Sequence, residues 1–265
     1  MNEEGRRRVP KANPEGAGVN ALAVIPARGG SKSVPRKNVR MLASHPLIAY
    51  SIAAGLAAEK VGRLVVSTDD EEIADIARGY GADVPFLRPG SLAQDDTPDL
   101  PVFQHALNWL LENEDYLPEL VIQLRPTSPL RPPGLVDLGI EILLAEPSAD
   151  SARAVVPSGQ NPYKMWREGE GGTIVPLLEN GFHEAFNMPR QLLPRTFWQT
   201  GHLDIVRRET ILRKMSMTGT RILPIPVEAE YAVDIDSPRD FERAEALLQQ
   251  GRLALILPRL GPGDK

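Results

Sequence analysis

Cysteine is absent from this sequence. Its absence excludes disulfide bonds, thiolate metal sites and a cysteine nucleophile, and is compatible with a reducing compartment. The sequence also lacks any apolar run near the ~20 residues that a membrane-spanning helix requires, and the N-terminus lacks the apolar core of a signal peptide. We therefore expect a soluble, cytoplasmic protein with no membrane partner.

An excess of basic residues is absent as well. Lysine and arginine number 30 against 35 aspartates and glutamates, which gives a formal net charge of -5 and a sequence pI near 5.5. A chain without a basic field is not typical of a nucleic-acid-binding protein. Any site for a phosphate group must therefore be built from a local cluster of cations.

The 265 residues suffice for one large α/β domain or for a core with a smaller insertion. The N-terminal residues are rich in Arg, Pro, Gly and Asn and have no hydrophobic period, and another stretch breaks into Gly, Pro, Asn and aromatic residues. The predicted division is a disordered tail at 1–20, a core at 21–157 and 198–250, an inserted subdomain at 158–197, and a C-terminal tail at 251–265.

Short apolar runs alternate with amphipathic stretches along the core. Residues 21–25, 64–66 and 121–124 have the composition of strands, and helical patterns follow them. Strands that alternate with helices indicate a mostly parallel sheet with helices on both faces. The predicted fold class is therefore α/β.

The most informative segment is the loop IPARGGSKSVPRKN, residues 25–38, directly after the first predicted strand. It combines two glycines with four cationic side chains and two serines. Ligands of open α/β sheets bind beyond the carboxyl ends of the strands, and cations beside a glycine-rich loop suit a polyphosphate. The spacing matches neither a Walker loop nor the dinucleotide fingerprint. Arg28 and Lys37 are the first candidates for a triphosphate site, followed by Lys32.

A second chemical signal is the pair Asp234 and Asp236, which flank Ile235. We predict that they end an apolar strand, so that alternation directs both carboxylates to one side. Two carboxylates beside a triphosphate loop suit magnesium. The alternative is that Asp236 only favours the following helix through its dipole.

Four segments together resemble the acylneuraminate cytidylyltransferase family. They are the loop 25–38, VVSTDDEEIADIARGYGADVPFLRP at 65–89, QLRPTSPLR at 123–131 and YAVDIDSPRDF at 231–241. The resemblance runs from about residue 21 to residue 250. It implies a Rossmann-like core, CTP as donor, Mg²⁺, and a homodimer whose inserted dimerisation subdomain reaches toward the neighbouring active site.

The resemblance assigns roles to individual residues. The expected catalytic residues are Arg28, Lys37, Asp234 and Asp236, and the two aspartates are also the expected metal ligands. The expected sugar-binding residues are Arg190 and Gln191, because a guanidinium can pair with the carboxylate of an acidic keto-sugar. The expected nucleotide-binding residues are Ala27, Arg28, Gly29, Gly30, Ser31, Lys32, Lys37, Asn38 and Arg125.

Arg125 departs from the family pattern, which commonly has Gln there. Because a guanidinium only donates hydrogen bonds, we expect it to contact an anion or the acceptor edge of cytosine in the nucleotide pocket. Arg131, Lys164 and Arg195 are weaker candidates for substrate contacts. None of the four histidines is assigned to catalysis, and His202 is expected to have a structural hydrogen bond.

The predicted reaction is transfer of CMP from CTP to the anomeric hydroxyl of a nonulosonic, sialic-acid-like sugar, with release of pyrophosphate. Two alternatives stay open at this point: a metal-dependent glycosyltransferase that uses Asp234-Ile235-Asp236 as its metal motif, and a sugar-nucleotide sensor without catalysis. The particular sugar is not determined by these motifs.

Overall fold

The computed structural model describes residues 19–178 and 183–261 of the chain. Most of the predicted N-terminal tail and residues 262–265 therefore lie outside the described residues. Asn20, within that predicted tail, belongs to the folded core, because its carbonyl accepts a hydrogen bond of 2.8 Å from the Glu119 amide.

Ten strands and six α-helices follow one another along the described chain. The strands are β1 (Ala21–Pro26), β2 (Met41–Leu42), β3 (His45–Pro46), β4 (Arg63–Ser67), β5 (Leu120–Gln123), β6 (Ser151–Pro157), β7 (Trp166–Glu168), β8 (Ile174–Pro176), β9 (Phe197–Arg207) and β10 (Ile222–Pro226). The helices are α1 (Leu47–Leu56), α2 (Glu71–Gly79), α3 (Asp99–Glu114), α4 (Leu135–Leu144), α5 (Arg208–Leu212) and α6 (Pro238–Gln250).

A six-stranded sheet of order β10-β6-β9-β5-β1-β4 forms the centre of the fold. The pairs β1–β4, β1–β5 and β6–β10 are parallel, whereas β9 is antiparallel to both β5 and β6. The predicted α/β class with a mostly parallel sheet is thus confirmed. β1 is buried on both faces because helices cover both sides, which explains its continuous apolar sequence.

Two apolar layers lie on opposite faces of this sheet. One contains Ile25, Ile122 and Ile205 and packs against α1, α2, α4 and α6. The other contains Val24 and Phe103 and packs against α3 and α5. Within the described ranges, no helix is both long and apolar enough to cross a membrane.

The second face is less well covered at the β6–β10 end. Arg153 and Val155 of β6 are half-buried there, and Ile222 and Pro224 of β10 are exposed. Between β6 and β9 the chain leaves the core for the β7–β8 hairpin and several 3-10 turns, in the stretch where the inserted subdomain is predicted. Residues 179–182 of that stretch lie outside the described ranges.

The ends of two helices are capped by local side chains. The Asp70 carboxylate accepts a hydrogen bond from the Ile73 amide at the start of α2. Ser237 and Asp240 form a capping box at the start of α6, and Gly251 follows its last residue in the left-handed conformation with a φ of 62°. Residues 251–261 continue along the core, where the Gly261 amide donates to the carbonyl of Gly79.

Candidate active site

A cleft of about 480 Å³ opens beside the ends of β1 and β5. It is lined by the loop after β1, by the segment between α2 and α3, by the turn after β5 and by Asp236 before α6. These walls lie at the carboxyl edge of the parallel strands, where α/β proteins bind their ligands.

The loop after β1 is anchored from behind by the acids that open α2. The Gly29 amide donates to Asp69 Oδ1 at 3.0 Å, and a β-carbon at Gly29 would collide with the Asp70 side chain. Asn38 Nδ2 donates to the Arg28 carbonyl at 2.9 Å. Close contact with Asp70 therefore requires glycine at position 29.

Not every predicted nucleotide-binding residue of this loop faces the cleft. Gly30, Ser31, Lys32 and Asn38 line the cleft together with Arg28 and Lys37. Ala27 is fully buried behind it, and the Gly29 amide is already bound to Asp69. Ala27 and Gly29 thus shape the loop from behind and do not line the cleft, and their direct contact with a nucleotide stays a prediction.

The cations of the loop differ in their surroundings. Lys37 is buried, and its Nζ donates to the Ile235 carbonyl at 2.7 Å and lies 3.3 Å from Asp236. Arg28 lies 3.0 Å from Asp95, and Lys32 pairs with the same carboxylate. Lys37 is thus held rigidly by the core, whereas the half-buried Arg28 and the exposed Lys32 lie at the rim of the cleft.

Asp234 and Asp236 do not end a strand, contrary to the sequence-based prediction. Residues 232–236 are irregular, and the Ile235 amide donates to the Thr127 carbonyl at 2.8 Å, which ties the segment to the turn after β5. The chain is nevertheless extended enough that Ile235 is buried while both carboxylates are exposed. The alternation is kept without a sheet because hydrogen bonds from Lys37 and to Thr127 hold Ile235 in place.

The two aspartates suit a magnesium ion by their donor chemistry. Asp236 lines the cleft beside Lys37, and Asp234 Oδ1 lies 3.4 Å from Ser128 Oγ. In the part of the chain that the structure describes, no cluster of three or more His, Cys, Asp or Glu could hold a metal alone. Magnesium needs only one or two protein carboxylates when substrate phosphates and water complete its octahedron, so the pair fits this ion.

Arg125 lies in the cleft wall, and its charge is already paired. Its Nη2 lies 2.6 Å from Asp99 and 4.0 Å from the buried Asp204, which also pairs with Arg153. Burial raises the pKa of Asp204, and the neighbouring Arg153 opposes that rise. Arg125 is therefore a poor receptor for a second free anion, although its unpaired N–H groups can still donate.

Arg88, which the sequence analysis did not single out, is the other buried cation of the cleft. It lines the cleft at 5% exposure, its nearest acid is Asp69 at 3.8 Å, and its Nε has no hydrogen-bond partner among the described residues. Burial lowers the pKa of Arg88, with Asp69 acting against that shift. A buried guanidinium with an unused donor beside a cleft marks a position for a ligand acceptor.

The residues predicted to bind the sugar lie away from this cleft in the described chain. Arg190 and Gln191 are exposed on a 3-10 turn, and Arg190 Nη2 donates to the Ser158 carbonyl at 2.8 Å. Lys164 Nζ donates to the carbonyl of Phe186, and Arg195 lies over the ring of Phe197. None of these side chains lines the cleft within one chain.

Arg131 is structural, which corrects the suggestion of a substrate contact. It is buried, and its guanidinium donates to the carbonyls of His202 and Arg125 and to Ser51 Oγ, at 2.7, 2.6 and 2.9 Å. Burial lowers the pKa of Arg131 to about 9, and Asp234 opposes this shift. The arginine holds the turn after β5 against α1 and β9.

His202 has the structural hydrogen bonds that were expected of it. Its Nε2 lies 2.9 Å from the Tyr231 carbonyl and 3.1 Å from the Leu130 carbonyl, so this nitrogen carries the proton. Burial lowers the pKa of His202 to about 4, and the nearby Arg131 adds to the effect. The ring is therefore neutral in the folded protein.

This neutral ring makes stability depend on pH. Because the folded-state pKa of about 4 lies below the ordinary 6.5, the unfolded chain binds a proton first as the pH falls. The stabilisation is complete above pH 6.5 and is lost progressively toward pH 4. Between pH 7 and pH 4.5, the free energy of unfolding of the wild type should fall by about 2 kcal/mol more than that of His202→Gln, which keeps an N–H donor. Urea unfolding at both pH values measures this, and equal losses in the two proteins would contradict it.

This chain is similar in sequence to several known proteins. A family model described as cytidylyltransferase matches residues 22–166. The chain is 33% identical to the CMP-N,N'-diacetyllegionaminic acid synthase of Legionella pneumophila, over 89% of this chain and 99% of that protein. It is 30% identical to the N-acylneuraminate cytidylyltransferase of Escherichia coli over 86% of this chain and 52% of that longer protein.

A solved structure supports the fold alone. It is that of CMP:2-keto-3-deoxy-manno-octonic acid synthetase complexed with CTP, with a TM-score of 0.63 and 16% identity over 87% of this chain and 99% of that one.

Proposed function

Because this chain belongs to the cytidylyltransferase family, we propose that it transfers CMP from CTP to the anomeric hydroxyl of a nonulosonic, sialic-acid-like sugar and releases pyrophosphate. The chain is a nucleotidyltransferase. The observation that carries the proposal is the convergence of Arg28, Lys37 and Asp236 on one cleft at the carboxyl edge of the sheet. Relatives that match nearly the whole chain are named for CMP-activated nonulosonic acids.

In the proposed reaction the protein mainly positions and neutralises its substrates. The anomeric oxygen forms a bond to the α-phosphorus of CTP, the bond from that phosphorus to the bridging oxygen breaks, and the hydroxyl proton passes to solvent. Pyrophosphate leaves with the electron pair. Lys37 and the rim cations Arg28 and Lys32 stabilise the charge that moves onto it. A magnesium ion held by Asp234 and Asp236 would neutralise phosphate oxygens and acidify the attacking hydroxyl.

We assign the base of CTP to the part of the cleft that is lined by Arg88 and Arg125. Both guanidinium groups carry N–H donors, and cytosine offers the acceptors O2 and N3. Asp99, beside Arg125, can accept from a donor such as the exocyclic amine. A wall with both donors and an acceptor suits cytosine.

Arg125→Gln tests this assignment. A carboxamide leaves Asp99 without its cation, so we expect the KM for CTP to rise about tenfold while the sugar KM at saturating CTP stays within about twofold. The control is Arg63→Gln, which removes a guanidinium paired with Asp83 and Glu114 at another edge of the fold. A change confined to the sugar KM would move Arg125 out of the nucleotide pocket.

We also propose that the active enzyme is a homodimer. Trp166, Ile174, Leu192 and Trp198, in and beside the insertion, are between 43% and 63% exposed, which is costly for a free surface. A second copy that covers them would also explain why Arg190 points away from its own cleft, since it could then serve the neighbour's.

Light scattering tests the dimer. We expect a dimer for the wild type at micromolar concentration and a monomer with reduced activity for Trp198→Glu. Leu257→Glu is the matched control, because Leu257 is similarly exposed, at 58%, but lies in the C-terminal segment. A wild-type protein that is monomeric and fully active would contradict the proposal.

The decisive experiment is a screen for pyrophosphate release with four nucleoside triphosphates against a panel of nonulosonic acids. We expect release only when CTP and a nonulosonic acid are both present. Transfer from a nucleotide-sugar without pyrophosphate would instead identify a glycosyltransferase, and nucleotide binding without turnover would identify a sensor. We also propose a cytoplasmic location, with which the absence of cysteine is compatible.

A further inference from the structure

Residues 90–99, here called the acidic strap, form the part of the cleft wall that runs from just after Arg88 to the start of α3. Its turn is internally bonded, because Gln94 Nε2 donates to the Gly90 carbonyl at 2.6 Å and the Gln94 amide donates to Thr97 Oγ1 at 3.0 Å. These bonds place Asp95 at the tip of the turn. At the other end of the strap, Asp99 pairs with Arg125.

Asp95 occupies both rim cations of the loop after β1. One carboxylate oxygen lies 3.0 Å from Arg28 Nη2, and the other pairs with Lys32 Nζ. Arg28 Nη1 also donates to the Gln94 carbonyl at 2.6 Å. The hydrogen bond from Lys32 holds the pKa of Asp95 below its usual range, so the carboxylate stays charged near neutral pH. In the free protein, an anion of the chain itself lies where pyrophosphate oxygens are proposed to bind.

A bound anion can replace Asp95 in its ion pairs with Arg28 and Lys32, whereas the contacts of Lys37 are fixed. The side chains of Asp95 and Lys32 are 42% and 83% exposed, and ion pairs in water are weak and screened by salt. Lys37, by contrast, is only 10% exposed and is bound to a backbone carbonyl. An incoming polyphosphate with several charges can displace Asp95 without disturbing the core.

We propose that Asp95 is an internal counter-anion that competes with the β- and γ-phosphates for Arg28 and Lys32. Its ion pairs with these cations break when the triphosphate binds and form again as pyrophosphate leaves. This inference rests on the proposed function and adds a specificity-determining residue to it. Asp95 weakens the binding of any ligand that must reach both rim cations. Ligands that end at the α-phosphate, such as CMP, are unaffected. Asp95 therefore limits inhibition by the pyrophosphate product.

Asp95→Asn tests the inference, with Asp96→Asn as its matched control. Asp96 is the next residue in the same turn, is exposed, carries the same charge and has no ion pair within the described residues. Calorimetric titration with inorganic pyrophosphate at low salt should show about three- to tenfold tighter binding to Asp95→Asn and a change within about twofold for Asp96→Asn. CMP should bind all three proteins alike.

Two further readouts exclude a general effect of charge. The gain in pyrophosphate affinity from Asp95→Asn should shrink at high salt. It should also be smaller when Lys32 is already replaced by methionine, because Asp95 then competes for Arg28 alone. In turnover, inhibition by added pyrophosphate should become stronger in Asp95→Asn alone. Thermal unfolding establishes that the variants are folded.

Equal pyrophosphate affinity in the two asparagine variants, or weaker binding to Asp95→Asn, would overturn the inference. That failure is distinct from failure of the proposed function. A wild type that releases pyrophosphate from CTP while the variants bind it equally refutes only the role of Asp95. Tighter pyrophosphate binding by Asp95→Asn in a protein that releases none with any sugar supports the counter-anion and refutes the proposed reaction.

Discussion

Lys37→Ala is expected to lower kcat/KM by about 100- to 1000-fold, which corresponds to about 3–4 kcal/mol of transition-state stabilisation. The Lys37 ammonium is buried and held by the Ile235 carbonyl, so it faces the cleft without the need to reorganise. Charges preorganised in this way act most strongly where charge develops on the leaving group. Steady-state kinetics with CTP and the preferred sugar measure the effect.

Arg28→Ala is expected to lower kcat/KM less than Lys37→Ala does. Arg28 is 32% exposed at its side chain and already paired with Asp95, so we expect a smaller loss, nearer 2 kcal/mol. Lys60→Ala is the control, because Lys60 pairs with Glu141 elsewhere on the surface and should leave turnover unchanged. A loss in Lys37→Ala that affects only the sugar KM would remove Lys37 from the triphosphate site.

Asp236→Asn is expected to reduce turnover at limiting magnesium by at least about 100-fold, because it removes one of the two carboxylates proposed to bind the ion, which would supply several kcal/mol of charge stabilisation. Asp234→Asn should have a smaller effect, since Asp234 contacts Ser128 and is not among the residues that line the cleft. Magnesium titrations of activity and calorimetric magnesium binding in the presence of CTP both measure this.

Stability should change little in these variants, because the Asp236 side chain is 76% exposed and supports no core. Asp75→Asn is a matched control, since the Asp75 side chain has the same exposure of 76% and, among the described residues, forms its ion pair with Arg78 on α2. Unchanged magnesium dependence in both Asp234→Asn and Asp236→Asn would show that the ion is held elsewhere.

The structure also contains a helix that the sequence analysis did not predict. Helix α3 carries Val102, Phe103, Ala106, Leu107 and Leu110 on its buried face, a spacing of three and four residues that is typical of an amphipathic helix. The signal was present in the sequence. Because α3 begins at Asp99, omitting it also left the acidic strap and its contacts with the cleft unrecognised.

The strand predicted before Asp234 was wrong for a different reason. Apolar residues alternate at Tyr231, Val233 and Ile235, and each is buried. Alternation reports which side of an extended chain faces the core, but it does not report whether a neighbouring strand is available for pairing. Here the chain is held by a contact to Thr127 instead.

The sequence by itself determined the α/β class, the family and the loop of cations after β1, because periodicity and contiguous motifs are local properties of the chain. The tertiary structure decided which charged side chains are held by the protein itself and which can bind a ligand. Lys37 meets Ile235 across 198 positions, and Arg28 meets the carbonyl of Gln94 across 66. Pairings over such separations are set by the order of strands in the sheet and by burial. These properties make Lys37 a fixed cation, Arg131 a structural one, and Arg28 and Lys32 the exchangeable partners of Asp95.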